Sequence, residues 1–206
     1  MGIQTEIHAS AYAGAFTDPV FQSQAVFRAL MDAMARPGTI TPLGAAAAPP
    51  EPLGPGAGAI ALTLCDDGTP VWLSPALAKS SVPAWLSFHT GAARTDVKPE
   101  ARFVFVEAGG IVPGFDQFAL GTQEYPDRSA TLVLEIAALE GGDGLTATGP
   151  GINGEAVVSP MGLPDIFLTL WAENCALFPR GVDLILVAGT NVLCLPRTTK
   201  LRHREV

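Results

Sequence analysis

Positive charge is scarce in this chain. Twelve lysines and arginines stand against twenty aspartates and glutamates in 206 residues, a formal net charge of −8. That balance argues against an extended nucleic-acid-binding surface, although a few local donors on an acidic protein still suffice for a single anion. Only three lysines occur, Lys79, Lys98 and Lys200, and none sits in a recognisable cofactor motif. Cysteine is equally sparse. Cys65, Cys175 and Cys194 are odd in number, far apart and embedded in apolar runs, a pattern of reduced, buried thiols in the cytoplasm rather than of a disulfide framework. No apolar run approaches the length needed to span a bilayer, so no membrane contact is expected. No basic segment followed by an apolar core opens the chain, so no signal peptide is expected either. HExxH, CxxC, GxSxG, GxGxxG and the Walker GK[ST] ending are all missing, as is any His/Cys cluster at ligand spacing, so neither a metal nor a cofactor is expected. No internal repeat shows at any period.

What is present is apolar. Nearly half of the residues are hydrophobic, 48%, enough for a large core in one α/β domain spanning 1–206. Its clearest segment is Asp18 to Gly38. Asp18 suits a helix N-cap and Pro19 the first helical position. Val20, Phe27, Leu30, Met31 and Met34 recur at three-, four- and seven-residue spacings and predict one apolar face. Pro37 and Gly38 end the helix. The opposite face carries Gln24, Arg28, Asp32 and Arg36, four apart. Asp32 and Arg36 are in the favourable order for a weak ion pair, and the ladder reads either as a solvated stripe or as an arginine, Arg28, held near an anion or a partner.

Residues 1–17 read as an N-terminal arm, and the Pro/Gly/Ala-rich stretch 39–58 as a surface loop. The apolar runs Ala59–Leu64 and Val71–Leu73, separated by CDDGTP, predict a β-hairpin. Asp66 and Asp67 read as turn chemistry or as metal- or proton-binding carboxylates. Ser80–Phe88 predicts a short helix ended by His89-Thr90-Gly91, with His89 either structural at the helix end or a phosphate donor or acid–base group. Arg102–Val106 and Thr131–Ile136 predict strands, Pro113–Leu120 a helical turn, and Leu145–Thr148 a short strand before Gly149-Pro150-Gly151. Pro164–Leu177 predicts a second good helix with Ile166, Phe167, Leu170, Trp171 and Asn174 on one face, closed by FPRG. Val182–Ala188, Gly189-Thr190-Asn191 and Val192–Leu195 predict a terminal hairpin. At its exit Arg197, Thr198, Thr199 and Lys200 leave the sheet together, either to hold a phosphate, or as an edge charge, or as an internal clamp with Asp183 or Asp66 as carboxylate partner.

VFRALMDAMARPG, LTLCDDGTPVWLS, FHTGA, TATGPGI, FPRGVDLILV and LPRTT occur in this order between Gln24 and Thr199. Together they resemble the PhnH family, the H proteins of the bacterial carbon–phosphorus lyase core complex. One departure is visible: where that family tends to read Pro-Glu-x-Gly-Ala-Thr, this chain has Pro126-Asp127-Arg128-Ser129-Ala130-Thr131. The resemblance implies a mixed β-sheet flanked by helices, like the large domain of pyridoxal-phosphate-dependent transferases but without that cofactor or its lysine. It implies phosphonate catabolism, in which the chain is required with the G, I and L proteins to form a ribose-triphosphate alkylphosphonate from ATP and an alkylphosphonate, displacing adenine. It further implies the G, I and J proteins as partners in the core complex and a homodimer when the chain is isolated. The catalytic centre being ascribed to the I protein, an accessory, structural role is expected here. The alternative is an enzyme-like subunit contributing Arg28, His89, Arg197, Thr198 and Thr199 to a shared phosphate-rich site.

Overall fold

A computed structural model describes residues 12–204. The first helix, α1 (Pro19–Ala35), starts as its sequence dictates, with the Asp18 carboxylate accepting from the Phe21 N–H. Its buried face is only partly the expected one: Leu30 is buried and Met34 packs against the core as read. Val26, Leu30 and Ala33 face the core, whereas Val20, Phe27 and Met31 are 74, 48 and 57% exposed. The spacing alone admits both sets, and small Ala33, with half-buried Ala29, lets α1 approach its neighbours on the side away from Phe27. Asp32 and Arg36 do pair, at 3.3 Å on the open surface.

The stretch 39–58 is not wholly loop. Ile40–Pro42 forms β1, and the helix α2 (Pro55–Leu64) begins before the stretch ends. Ala59–Leu64 therefore lies in a helix, not in a hairpin strand. A fully buried apolar run carries no usable period, and small residues decided this one. Gly56, Ala57, Gly58, Ala59, Ile60 and Ala61 are all buried. A Cβ on Gly56 would come within 2.4 Å of the Gly189 carbonyl, and one on Gly58 within 2.6 Å of Pro49, so the helix is seated closer than larger residues allow. The expected hairpin partner, β2 (Val71–Leu73), pairs instead in parallel with β3 (Phe103–Val106). Between them run the short α3 (Pro75–Ala78) and α4 (Val82–Thr90), the latter stopped by Gly91 at φ +76°.

Next come β4 (Thr131–Glu135), β5 (Leu145–Thr148), β6 (Ala156–Val158), α5 (Phe167–Ala176), β7 (Asp183–Ala188), β8 (Asn191–Leu195) and β9 (Lys200–His203). The turn at Phe115–Gln117 falls where one was expected. In α5 Phe167, Trp171 and Asn174 are buried as read, but Ile166 precedes the helix and is exposed. The main sheet has the order β1-β8-β7-β4-β3-β2, with β2, β3, β4 and β7 parallel and β8 and β1 antiparallel to their neighbours. The β7–β8 hairpin is the one the sequence predicted. A second sheet, β6-β5-β9, is wholly antiparallel.

The fold is thus α/β, a mixed sheet flanked by helices. Alternation along the central strands divides two cores, as a sheet covered on both faces requires. Phe105, Val133, Ile185 and Val187 face α1, α2 and α4 with Val26, Ile60 and Trp85. Val104, Leu132, Leu134, Leu184 and Leu186 face α5 and the small sheet with Phe167, Trp171, Leu145 and Val158.

Candidate functional site

The residues singled out from sequence do not assemble in one place. Arg28 lies exposed on the outer side of α1 and joins no ion pair among the described residues. His89 sits in the last turn of α4, edge-on to Trp85 and Phe88 at 5.3 and 4.9 Å between ring centres. Its Nε2 is shielded from solvent and has no partner among the described residues. Burial lowers its pKa, partly opposed by the nearby Ala13 backbone. Asp66 is turn chemistry, its carboxylate accepting from the Gly68 N–H at 3.0 Å.

Arg197 is the best-defined of the set. It stands just past β8, after Pro196, so the hairpin register brings it to Asp183, the first residue of β7. Its backbone N–H and its Nε both donate to Asp183 Oδ1, at 2.8 and 3.1 Å, and Nη2 donates to Oδ2. Nη2 also reaches the Ser129 hydroxyl, and Nη1 the carbonyls of Pro126 and Pro179 at 3.0 and 3.3 Å. A guanidinium has five N–H donors, and all five are engaged inside the chain. Of the two carboxylates named as partners, Asp183 is the one in contact. The serine that departs from the family pattern, Ser129, is one of the acceptors. Thr199 is buried, its carbonyl accepting from Trp171 Nε1 at 2.8 Å and from Cys175 Sγ at 3.4 Å. Half-buried Thr198 packs on the glycine turn: a Cβ on Gly149, at φ +144°, would lie 2.7 Å from its carbonyl. Close approach to this turn thus accounts for Gly149. Lys200 starts β9, paired opposite Thr148.

Sequence reasoning missed a second polar cluster, at the carboxyl ends of the parallel strands, where open α/β sheets collect their ligands. Ser74 follows β2 and is fully buried; its hydroxyl accepts from the Leu77 N–H and donates to the carboxylate of Glu107, just after β3. Glu135 ends β4 and accepts from the N–H of Gly54, the N-cap of α2, at 3.1 Å. Burial pushes the Glu135 carboxyl up to about 7; the Gly54 bond opposes this and the charge of Glu107 adds to it. An open cleft of about 550 Å³, lined by Ala47 to Pro49 and Glu51 to Pro55, runs past Gly54. The available signal was a carboxylate closing the apolar strand TLVLE. The three thiols are free, and burial first of all pushes Cys65 and Cys194 up to about 12 and Cys175 to about 11. Among the described residues no group of three His, Cys, Asp or Glu side chains is placed to hold a metal ion, and no helix is long and apolar enough to cross a membrane.

Fold and clusters together define an α/β protein whose best-formed polar contacts tie its own elements to one another. A family model described as "Bacterial phosphonate metabolism protein (PhnH)" matches residues 14–202. The chain belongs to this PhnH family. A Rhizobium meliloti (strain 1021) protein named alpha-D-ribose 1-methylphosphonate 5-triphosphate synthase subunit PhnH is 67% identical over 192 residues, 93% of this chain and 96% of its own length. A Stutzerimonas stutzeri protein named "Putative C-P lyase subunit protein HtxG" is 32% identical over 180 residues, 87% of this chain and 86% of its own.

Proposed function

We propose that this chain is a subunit of the carbon–phosphorus lyase system for phosphonate catabolism. In this reading it acts in the cytoplasm, where the G, I and L proteins and this chain form the ribose-triphosphate alkylphosphonate from ATP and an alkylphosphonate. Its role is accessory: it shapes the assembly, with the G, I and J proteins as neighbours. Its sheet is then a relative of the large domain of pyridoxal-phosphate-dependent transferases, without the Schiff-base lysine. The similarity to the R. meliloti subunit over nearly the full length of both chains carries the reading. The geometry adds an exposed apolar stripe on α1, Val20, Phe27 and Met31, of the kind that subunits cover on assembly. The second reading, a contribution of Arg28 or His89 to a shared site, is favoured only by their lack of ion-pair or side-chain acceptors within the described chain.

Phe27→Glu combined with Met31→Glu tests the subunit role. The side chains are 48 and 57% exposed and belong to neither core cluster, so the isolated variant should melt within about 0.5 kcal/mol of the parent, the range of surface changes. Co-purification with the G, I and J proteins from cells growing on a phosphonate should be lost. In light scattering the parent alone should have the mass of a homodimer. Retention of all partners by the double variant overturns α1 as the contact surface; absence of any partner from the parent preparation overturns the subunit reading.

A further inference from the structure

The FPRG segment, Phe178 to Gly181, holds an arginine that the clamp does not use. Arg180 is half-buried, and its Nε is shielded from solvent without an acceptor. Among the described residues its guanidinium enters no ion pair and no side-chain hydrogen bond. Partly desolvating a guanidinium without pairing it is unfavourable, so a fold that needed only its packing would place an apolar residue there. Arg197, in the same corner, makes the contrast: it has all its acceptors, whereas the shielded Nε of Arg180 has none among the described residues.

The surroundings indicate what is to be bound. The Gly181 N–H donates to the Leu120 carbonyl at 2.8 Å, and Arg197 Nη1 bridges the carbonyls of Pro126 and Pro179 at 3.0 and 3.3 Å. Segments 120–129 and 178–181 are therefore fastened into one surface. Arg128 lies on the first of them, exposed, stacked on the Tyr125 ring at 4.1 Å, and without a carboxylate partner among the described residues. Tyr125 is 50% and Phe178 62% exposed. Glu124 and Asp127 are exposed on the same segment, so the corner is not a diffuse basic patch. Attraction here comes from two guanidinium groups beside two exposed aromatic side chains, Tyr125, which carries Arg128 on one face, and Phe178. A guanidinium fork matches phosphate oxygens, and an aromatic face stacks a nucleobase.

We propose that segments 120–129 and 178–181 form a binding surface for a nucleoside polyphosphate, with Arg180 and Arg128 on the phosphates and Tyr125 or Phe178 under the base. It deepens the subunit reading by naming a ligand class, and rests on that reading only for the choice of ATP as probe. The test is titration calorimetry of the isolated full chain with ATP and with inorganic tripolyphosphate. Co-purification plays no part in it, so the two proposals fail separately. Saturable ATP binding is expected, weakened at least tenfold in Arg180→Gln and in Arg128→Gln. Tripolyphosphate should bind more weakly than ATP, and Tyr125→Ala with Phe178→Ala should abolish that difference. Since Arg180 makes no side-chain bond within the described chain, Arg180→Gln should melt no lower than the parent; should it unfold, exposed Arg128→Gln and the aromatic variants carry the test. No ATP binding at millimolar concentration, binding indifferent to both arginine variants, or tripolyphosphate binding as tight as ATP overturns the proposal.

Discussion

Arg197→Lys should lower stability by about 2–3 kcal/mol, the loss expected when one partner of a largely buried, hydrogen-bonded ion pair is removed, here reduced because the pair is not fully enclosed. The side chains of Arg197 and Asp183 are 11 and 26% exposed. Lysine keeps the charge but offers a single ammonium, which cannot hold both Asp183 oxygens while also reaching Ser129, Pro126 and Pro179. Those acceptors lie on three separate segments: the turn before β4, the loop after α5 and the start of β7. For a chain of this length the melting temperature should fall by roughly 5–10 °C, at about 2–4 °C per kcal/mol. Ser129→Ala, removing one acceptor of five, should cost only about 1 kcal/mol. Thermal unfolding of both variants checks the pair. A solvated edge charge would leave Arg197→Lys within about 0.5 kcal/mol of the parent, and that result overturns the clamp.

Glu135→Gln should stabilise the protein at pH 8 and leave it nearly unchanged at pH 5. The sign follows from the raised pKa. Between the ordinary carboxylate value, 4.5, and about 7, the folded chain holds a proton on Glu135 that the unfolded chain has released. Stability from this group is thus fully present below 4.5, falls as the pH rises through that window, and stays low above 7. The upper bound of the effect is about 3 kcal/mol, at 1.36 kcal/mol per pKa unit, and partial solvation brings it towards about 1–2 kcal/mol. Glutamine keeps an oxygen to accept from the Gly54 N–H and carries no charge to set against Glu107. Denaturant midpoints at pH 5 and pH 8 decide the matter: the parent should lose stability across the interval relative to the variant. An equal loss in Glu135→Gln at both values would mean that the side chain acts through packing alone.

Local order was legible wherever the chain punctuates itself. Asp18-Pro19 and Pro37-Gly38 bracket α1, Gly189-Thr190-Asn191 turns β7 into β8, and TLVLE and FVFV are strands buried on both faces. The readings that failed did so for want of long-range information. Ala59–Leu64 is apolar throughout, so no period separates strand from helix; the small residues Gly56 and Gly58 matter only because Gly189 and Pro49 stand against them. Val20, Phe27 and Met31 satisfy helical spacing with Leu30 as well as Val26 and Ala33 do, and the neighbours of α1 decided which side of Leu30 is covered.

The clusters divide in the same way. Arg197 announced itself, because Pro196 and the end of an apolar strand fix where its side chain starts, and Asp183 is near enough through one hairpin to be named. Ser129, Pro126 and Pro179 come from 68, 71 and 18 residues away, and no local pattern records their arrival. Glu107 and Glu135 end adjacent parallel strands whose pairing is made only by crossover connections, so their meeting near Ser74 and Gly54 belongs to the tertiary structure. The sequence by itself determined the family, the α/β class, the ends of α1 and the terminal hairpin, since caps, turns and adjacent strands act over a few residues. Which face of α1 stays bare, which arginine is saturated and which is left open, and which carboxylate holds its proton near neutrality were decided only by folding, because burial and charge are properties of what surrounds a group in space.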